Sequence, residues 1–117
     1  MESRHGSCHC GAVQIDVEID LSSLMTCNCS MCGRSGAIMA FVPASKVTKT
    51  AAPDAETDYQ FGKKSIHHRF CKVCGMRTAA EGEGHDGQAW AMVNVRCLDG
   101  VDVHALQIAR QYDGRAL

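Results

Sequence analysis

Apolar and polar side chains alternate most cleanly over residues 13–19, where Val13, Ile15, Val17 and Ile19 are separated by Gln14, Asp16 and Glu18. A period of two predicts a strand with one dry face and one wet face. The same period returns over residues 89–95, with Ala89, Ala91, Val93 and Val95 on one side and Trp90, Met92 and Asn94 on the other. Residues 37–42 are a continuous apolar run closed by Pro43, which predicts a buried strand. Residues 59–61 and 66–70 read as two further strands joined through Gly62-Lys63-Lys64. Residues 21–25 suggest a helical turn, 44–58 an exposed polar segment around Pro53, and 81–88 a glycine-rich loop. Residues 98–100 turn, and 103–106 form a short segment. Phe41 and Trp90 are expected in the core. No helical period is sustained and no repeat occurs, so the expected fold is mainly β, built of short antiparallel strands in a single domain over residues 1–117.

Composition narrows the function more by exclusion than by assertion. A chain of 117 residues is one domain with a modest core. A formal charge of −1 creates no field that would gather nucleic acid or an anionic membrane. Aromatic residues make up only 5%, too few for a base-stacking surface. The first six residues are polar, without the apolar core of a signal peptide, and no apolar run approaches the roughly 20 residues of a membrane span. The expectation is a soluble, cytoplasmic protein with no nucleic-acid and no membrane partner, its oligomeric state left open.

The eight cysteines change the picture. Seven fall into three clusters, namely Cys8 and Cys10, then Cys27, Cys29 and Cys32, then Cys71 and Cys74; Cys97 stands alone. Reducing cytoplasm disfavours disulfides and favours metal, and the Cys-x-Cys spacing suits chelation better than a strained bridge. Either the central trio binds one ion while the outer pairs combine on another, or neighbouring clusters share ligands along the chain. The first grouping is preferred, because joining two distant pairs constrains the unfolded chain most and supplies folding free energy that a small core lacks. Four thiols then make a closed structural zinc site. Three leave a vacancy, as catalytic zinc sites commonly do. Such a centre suits holding an incoming thiol as thiolate, ready to meet a carbonyl carbon.

Three stretches carry a resemblance. Residues 6–13 (Gly-Ser-Cys-His-Cys-Gly-Ala-Val), the trio Cys27-x-Cys29-Ser30-x-Cys32, and Phe70-Cys71-x-x-Cys74-Gly75 resemble the glutathione-dependent formaldehyde-activating family, also called the centromere-protein-V or aldehyde-activating family. Residues 93–102 and Tyr112-Asp113-Gly114-Arg115 look like its C-terminal segment. The resemblance implies a zinc-bound, β-tent-like fold and carbon–sulfur lyase chemistry, condensing glutathione with formaldehyde to S-hydroxymethylglutathione. It implies two zinc ions per chain, with Cys8, Cys10, Cys71 and Cys74 structural and Cys27, Cys29 and Cys32 catalytic. The three-thiol site is expected to be the less firmly filled, and no other cofactor is implied. The partners would be a small thiol and an aldehyde.

Remaining candidates are weighed against plainer roles. His67 and His68, adjacent on a strand, face opposite sides and cannot both serve one site; surface or packing roles are the default. His85 could act as proton carrier or close the second metal site, as could Cys97 if folding allowed, although Cys97 reads first as a buried small hydrophobe. His9 is expected to be exposed. Arg34, Arg77 and Arg96 could hold substrate carboxylates, but solvated positions are expected for each. Two rival readings stand beside the enzyme: a zinc-stabilised binding module with both metals structural, and a thiol redox protein.

Overall fold

A computed structural model of the chain describes residues 1–84 and 86–114. Its strands, in chain order, are β1 (Glu2–Ser7), β2 (Val13–Ile19), β3 (Leu24–Cys27), β4 (Met39–Pro43), β5 (Val47–Ala51), β6 (Glu56–Tyr59), β7 (Ile66–Cys71), β8 (Ala79–Glu83), β9 (Ala89–Asn94) and β10 (Ile108–Tyr112). The helical pieces are one turn each: α1 (Cys32–Ser35) and the 3-10 turns Ala44–Lys46 and Val95–Cys97. The mainly β expectation holds.

The strands form two sheets. One has three strands in the order β1-β2-β5; the other has seven, in the order β10-β3-β4-β9-β8-β7-β6. Every pairing is antiparallel except β10 on β3. The alternation in β2 is realised residue by residue, with Val13, Ile15, Val17 and Ile19 buried and the residues between them exposed. Their dry face packs on one face of the larger sheet, contributed by Leu24, Ala40, Val42, Ala91 and Val93. Each fully buried aliphatic side chain here contributes roughly 1.5–3 kcal/mol.

Sheet register determines what the other face carries. Opposed residues of an antiparallel pair share a face, and Phe41 stands opposite Met92, Met92 opposite Ala80, and Ala80 opposite His68. Met25 stands opposite Met39 on the same side. The seven-stranded sheet therefore has an aliphatic face towards the core and a second face lined with methionine and aromatic rings. Phe41 and Trp90 belong to that second face. Phe41 is 47% exposed, and neither residue joins the core cluster, which corrects the expectation for both.

Six strands depart from the sequence reading, each for a physical reason. β3 begins within the stretch expected as a helical turn. β6 starts ahead of the strand expected at 59–61, because its register on β7 sets Glu56 opposite Cys71 and Tyr59 opposite His68. β1 is polar on both sides and pairs with β2 through its backbone ladder and one surface contact, His5 with Asp16 at 2.8 Å, so it offers no period-two signal. β5 is a second edge strand inside the segment expected to be irregular. β8 takes up the first half of the expected glycine-rich loop, because β7 and β9 offer ladder partners on both its sides. β10, with little burial, is held by its parallel pairing to β3. Residues 21–23 form a turn rather than a helical one, after which β3 begins.

Candidate metal centres and the pocket beside them

Each outer cysteine pair sits at a strand junction in a tight turn. In the first, Gly11 donates to the Cys8 carbonyl at 3.3 Å; in the second, Gly75 donates to the Cys71 carbonyl at 2.9 Å. Both glycines adopt positive φ, 83° and 77°, a conformation that costs them little. The two turns meet across the molecule. The sulfurs of Cys8 and Cys10 lie 3.7 Å apart, and those of Cys10 and Cys71 3.6 Å apart, although 61 residues separate the latter two. A tetrahedron with zinc–sulfur arms of 2.3 Å has corners about 3.8 Å apart, so these separations fit one ion and are far too long for a disulfide. All four sulfurs lie within 4.8 Å of one another and could hold a metal.

The backbone is already arranged for negative sulfur. Val13 N–H points at the Cys8 Sγ at 3.3 Å and Val73 N–H at the Cys71 Sγ at 3.4 Å. The Cys74 thiol is pulled down to about 6, first by the backbone N–H of Cys10 and then by that of Met76. Cys8 and Cys71 are buried against Val13.

The trio is local. Cys27 ends β3, Cys29 follows in the loop, and Cys32 opens α1, with Cys29 N–H directed at the Cys27 Sγ and Cys32 N–H at the Cys29 Sγ at 3.4 and 3.3 Å. These three sulfurs also lie within 4.8 Å of one another and could hold a metal. Burial opposes ionisation of Cys29, but the N–H groups of Cys32 and Met31 outweigh it and its pKa is lowered. Cys32 is pushed up to about 11 by burial, against the pull of the Arg77 charge.

The C-terminal segment closes over this loop. Asn28 N–H donates to the Tyr112 carbonyl at 3.2 Å, and the Asn28 side-chain amide donates to Asp113 at 2.9 Å. Gly114 is pressed so closely on the trio that a Cβ there would lie 2.6 Å from the Cys27 Sγ and 2.7 Å from the Cys29 Cβ. Only glycine fits.

Beside the trio lies a cavity of about 430 Å³. Its walls include Met25, Met39, Phe41, Phe61, Ile66 and Met92, and it also reaches Cys27, Cys29, Cys32, Tyr112 and Gly114. Two polar side chains complete it. His68, only 5% exposed, stacks on Phe61 with ring centroids 5.1 Å apart, and its Nδ1 has no hydrogen-bond partner. Burial, then the Arg77 charge, lowers its pKa to about 4, so it is neutral at physiological pH. Arg77 is 7% exposed, and none of its three guanidinium nitrogens meets an acceptor in hydrogen-bonding geometry. A buried guanidinium without a carboxylate is costly unless another negative group compensates it; the nearby Cys32 sulfur is such a group once ionised.

The sequence expectations sort out accordingly. The seven clustered thiols come together in the two preferred groups. His67 and His68 do face opposite ways, His67 pairing with Asp58 at 2.8 Å. His9, Arg34 and Arg96 are exposed, the last two donating to the Ser30 and Gly36 carbonyls. Arg77, expected in solvent, is buried, and that is a correction. Cys97 is buried, its thiol donates to the Arg77 carbonyl at 3.5 Å, and it belongs to neither thiol group, so it does not close the trio. His85 and Arg115 lie outside the described residues. The methionine wall was missed, although Met39 and Met92 stand in predicted strands; Met25 lay in the stretch read as a helical turn, and Arg77 was a named candidate whose burial was not foreseen.

Two thiol clusters in a mainly β scaffold, one of four and one of three beside a pocket, define a β protein with two groups that could hold a metal ion. Residues 3–112 match the family described as glutathione-dependent formaldehyde-activating enzyme, and the chain belongs to that family. The crystal structure of a Rhodobacter sphaeroides protein is similar to it over 92% of this chain and 98% of that one, at 34% identity and a TM-score of 0.80. No helix among the described residues is long and apolar enough to cross a membrane.

Proposed function

We propose that the chain is a zinc-dependent carbon–sulfur lyase that joins a small thiol of the glutathione type to formaldehyde or a related aldehyde, and cleaves the adduct in reverse. In this reading Cys8, Cys10, Cys71 and Cys74 hold a structural zinc, and Cys27, Cys29 and Cys32 hold a catalytic one. The observation that carries it is that three sulfurs converge beside a cavity while the other four lie close enough together to fill the coordination of one ion. Zinc at the trio would supply a fourth position at which an exogenous thiol is held ionised at neutral pH.

The chain's own residues do the rest. The thiol sulfur forms a bond to the carbonyl carbon, the C=O π pair moves to oxygen, and the proton lost from sulfur ends on the new hydroxyl, so no oxidant or reductant is needed. Arg77 supplies the positive charge that clustered thiolates call for in a dry setting. The apolar walls exclude water, which otherwise competes for the aldehyde as its hydrate. Eight free thiols suit a reducing compartment, in keeping with a cytoplasmic location.

The test is direct. Zinc-loaded protein is given glutathione and formaldehyde, and adduct formation is followed against the uncatalysed rate. Acceleration by the native chain and its loss in Cys29→Ala is the expected result; equal rates with and without protein would overturn the assignment.

A further inference from the structure

The cavity beside the trio is larger and drier than formaldehyde requires. At about 430 Å³ it falls in the range of small-molecule pockets, roughly 300–1,000 Å³. Formaldehyde has no carbon chain to set against such walls. Three methionines from neighbouring strands line it, Met25 opposite Met39 and Met92 opposite Phe41. Methionine adapts its shape and contacts aromatic rings well, so it suits a wall for a variable apolar guest. Phe41 and Ile66 also line it, and both are left substantially in water, 47% and 36% exposed. Large apolar side chains in one concave patch mark a surface that something covers.

The polar groups of the cavity point the same way. The His68 Nδ1 and the Arg77 nitrogens are all shielded from water. Among the described residues the one charged group that lines the cavity, Arg77, is shielded from water and lies beside Cys32, so the cavity has no set of partners for the two carboxylates and the ammonium group of glutathione. Burying those groups here would leave them unpaired. The thiol partner therefore needs to deliver only its sulfur to the trio, its charged ends staying in solvent. The apolar volume is then left to the other reactant.

We infer that the carbonyl substrate is an aldehyde with an aromatic or branched alkyl group that fills the methionine-lined cavity, its carbonyl carbon directed to the trio. This rests on the thiol–aldehyde reading above and names the class of aldehyde within it. The chemistry is the same addition, with one carbon–sulfur bond formed and one proton moved from sulfur to oxygen.

Two measurements test it. The first holds glutathione constant and compares formaldehyde, butanal, 3-methylbutanal and phenylacetaldehyde by kcat/KM over the uncatalysed rate. The branched and aromatic aldehydes should exceed formaldehyde at least tenfold, since a single methylene in an apolar pocket is worth on the order of tenfold or more. Phe41→Ala should lower that preference ratio at least fivefold. The second needs no turnover: the protein is labelled with ¹³C in its methionine methyl groups and titrated with 2-phenylethanol, an unreactive analogue. The Met25, Met39 and Met92 signals should shift together while Met1 and Met76 stay still. Acceleration with formaldehyde alone, with no methyl response, overturns the inference and leaves the parent function standing. Acceleration with no aldehyde at all overturns both. A preference that follows a change of thiol, from glutathione to benzyl mercaptan, and ignores the aldehyde overturns the assignment of the cavity to the carbonyl partner.

Discussion

The two thiol clusters use the same ligand and are built in opposite ways. The four-thiol cluster joins turns from distant parts of the chain, with Cys10 and Cys71 61 residues apart, and it buries Cys8 and Cys71 against the core. The three-thiol cluster is assembled within six residues of one loop, on the methionine face, with all its members half-buried. Closing a long loop removes far more freedom from the unfolded chain than ordering a short one. Metal bound across distant segments is folding free energy, whereas metal bound within one loop mainly orders that loop. In the proposed reading this contrast assigns one cluster to the scaffold and the other to the chemistry.

The hardest blow to that contrast comes from removing one sulfur on each side. Structural zinc sites supply roughly 10–16 kcal/mol of apparent binding free energy, comparable to the whole stability of a domain, about 5–15 kcal/mol. Cys71→Ser should therefore abolish cooperative thermal unfolding monitored by circular dichroism, or leave no soluble protein. Cys29→Ser should melt within about 8 °C of the native chain, a change of at most about 2 kcal/mol, while bound zinc drops by one ion per chain. Equal melting curves for the two variants would erase the distinction.

How much of this was legible in the sequence depends on what kind of signal each feature leaves. The thiol groups were readable because metal ligation demands a residue type at a spacing, and both groupings form as expected. β2 was readable because one of its faces is wholly buried. β1 was not, because an edge strand satisfied by backbone pairing leaves its side chains free to be polar. The pocket face was the main loss. Trp90, Met92 and Asn94 were correctly separated from Ala91 and Val93, but alternation alone cannot say whether a second apolar face meets core or ligand. Arg77 escaped for a related reason: nothing local marks a cation destined for burial, and only the fold brings it to Cys32 and His68.

A narrower cut leaves every thiol in place. Because a Cβ at position 114 would come within 2.6 Å of the Cys27 Sγ, Gly114→Ala must push either the loop or the C-terminal segment aside. The three-thiol site should lose zinc affinity at least tenfold in competition with a chelator, equivalent to about 1.4 kcal/mol. Zinc at the four-thiol site, on the other face of the sheet, should be retained unchanged. Loss of affinity at both sites would mean that the clusters are not independent.

The smallest effect separates the two faces by pH. His68 on the pocket face has a folded pKa lowered to about 4, by burial and then by Arg77, from the usual 6.5. A depressed value means that the unfolded chain binds the proton more readily than the folded one. This residue's contribution is thus fully present above pH 6.5 and is lost as pH falls from 6.5 towards 4. The slope in that window cannot exceed about 1.4 kcal/mol per pH unit for one group. His68→Phe, which keeps the ring against Phe61, should remove that part of the acid destabilisation, so the gap in melting temperature between variant and native chain should widen in the variant's favour from pH 7 to pH 5. A parallel response of the native chain and His68→Phe across that range would mean that the ring is not held dry, and with it would go the picture of a water-excluding pocket beside the trio.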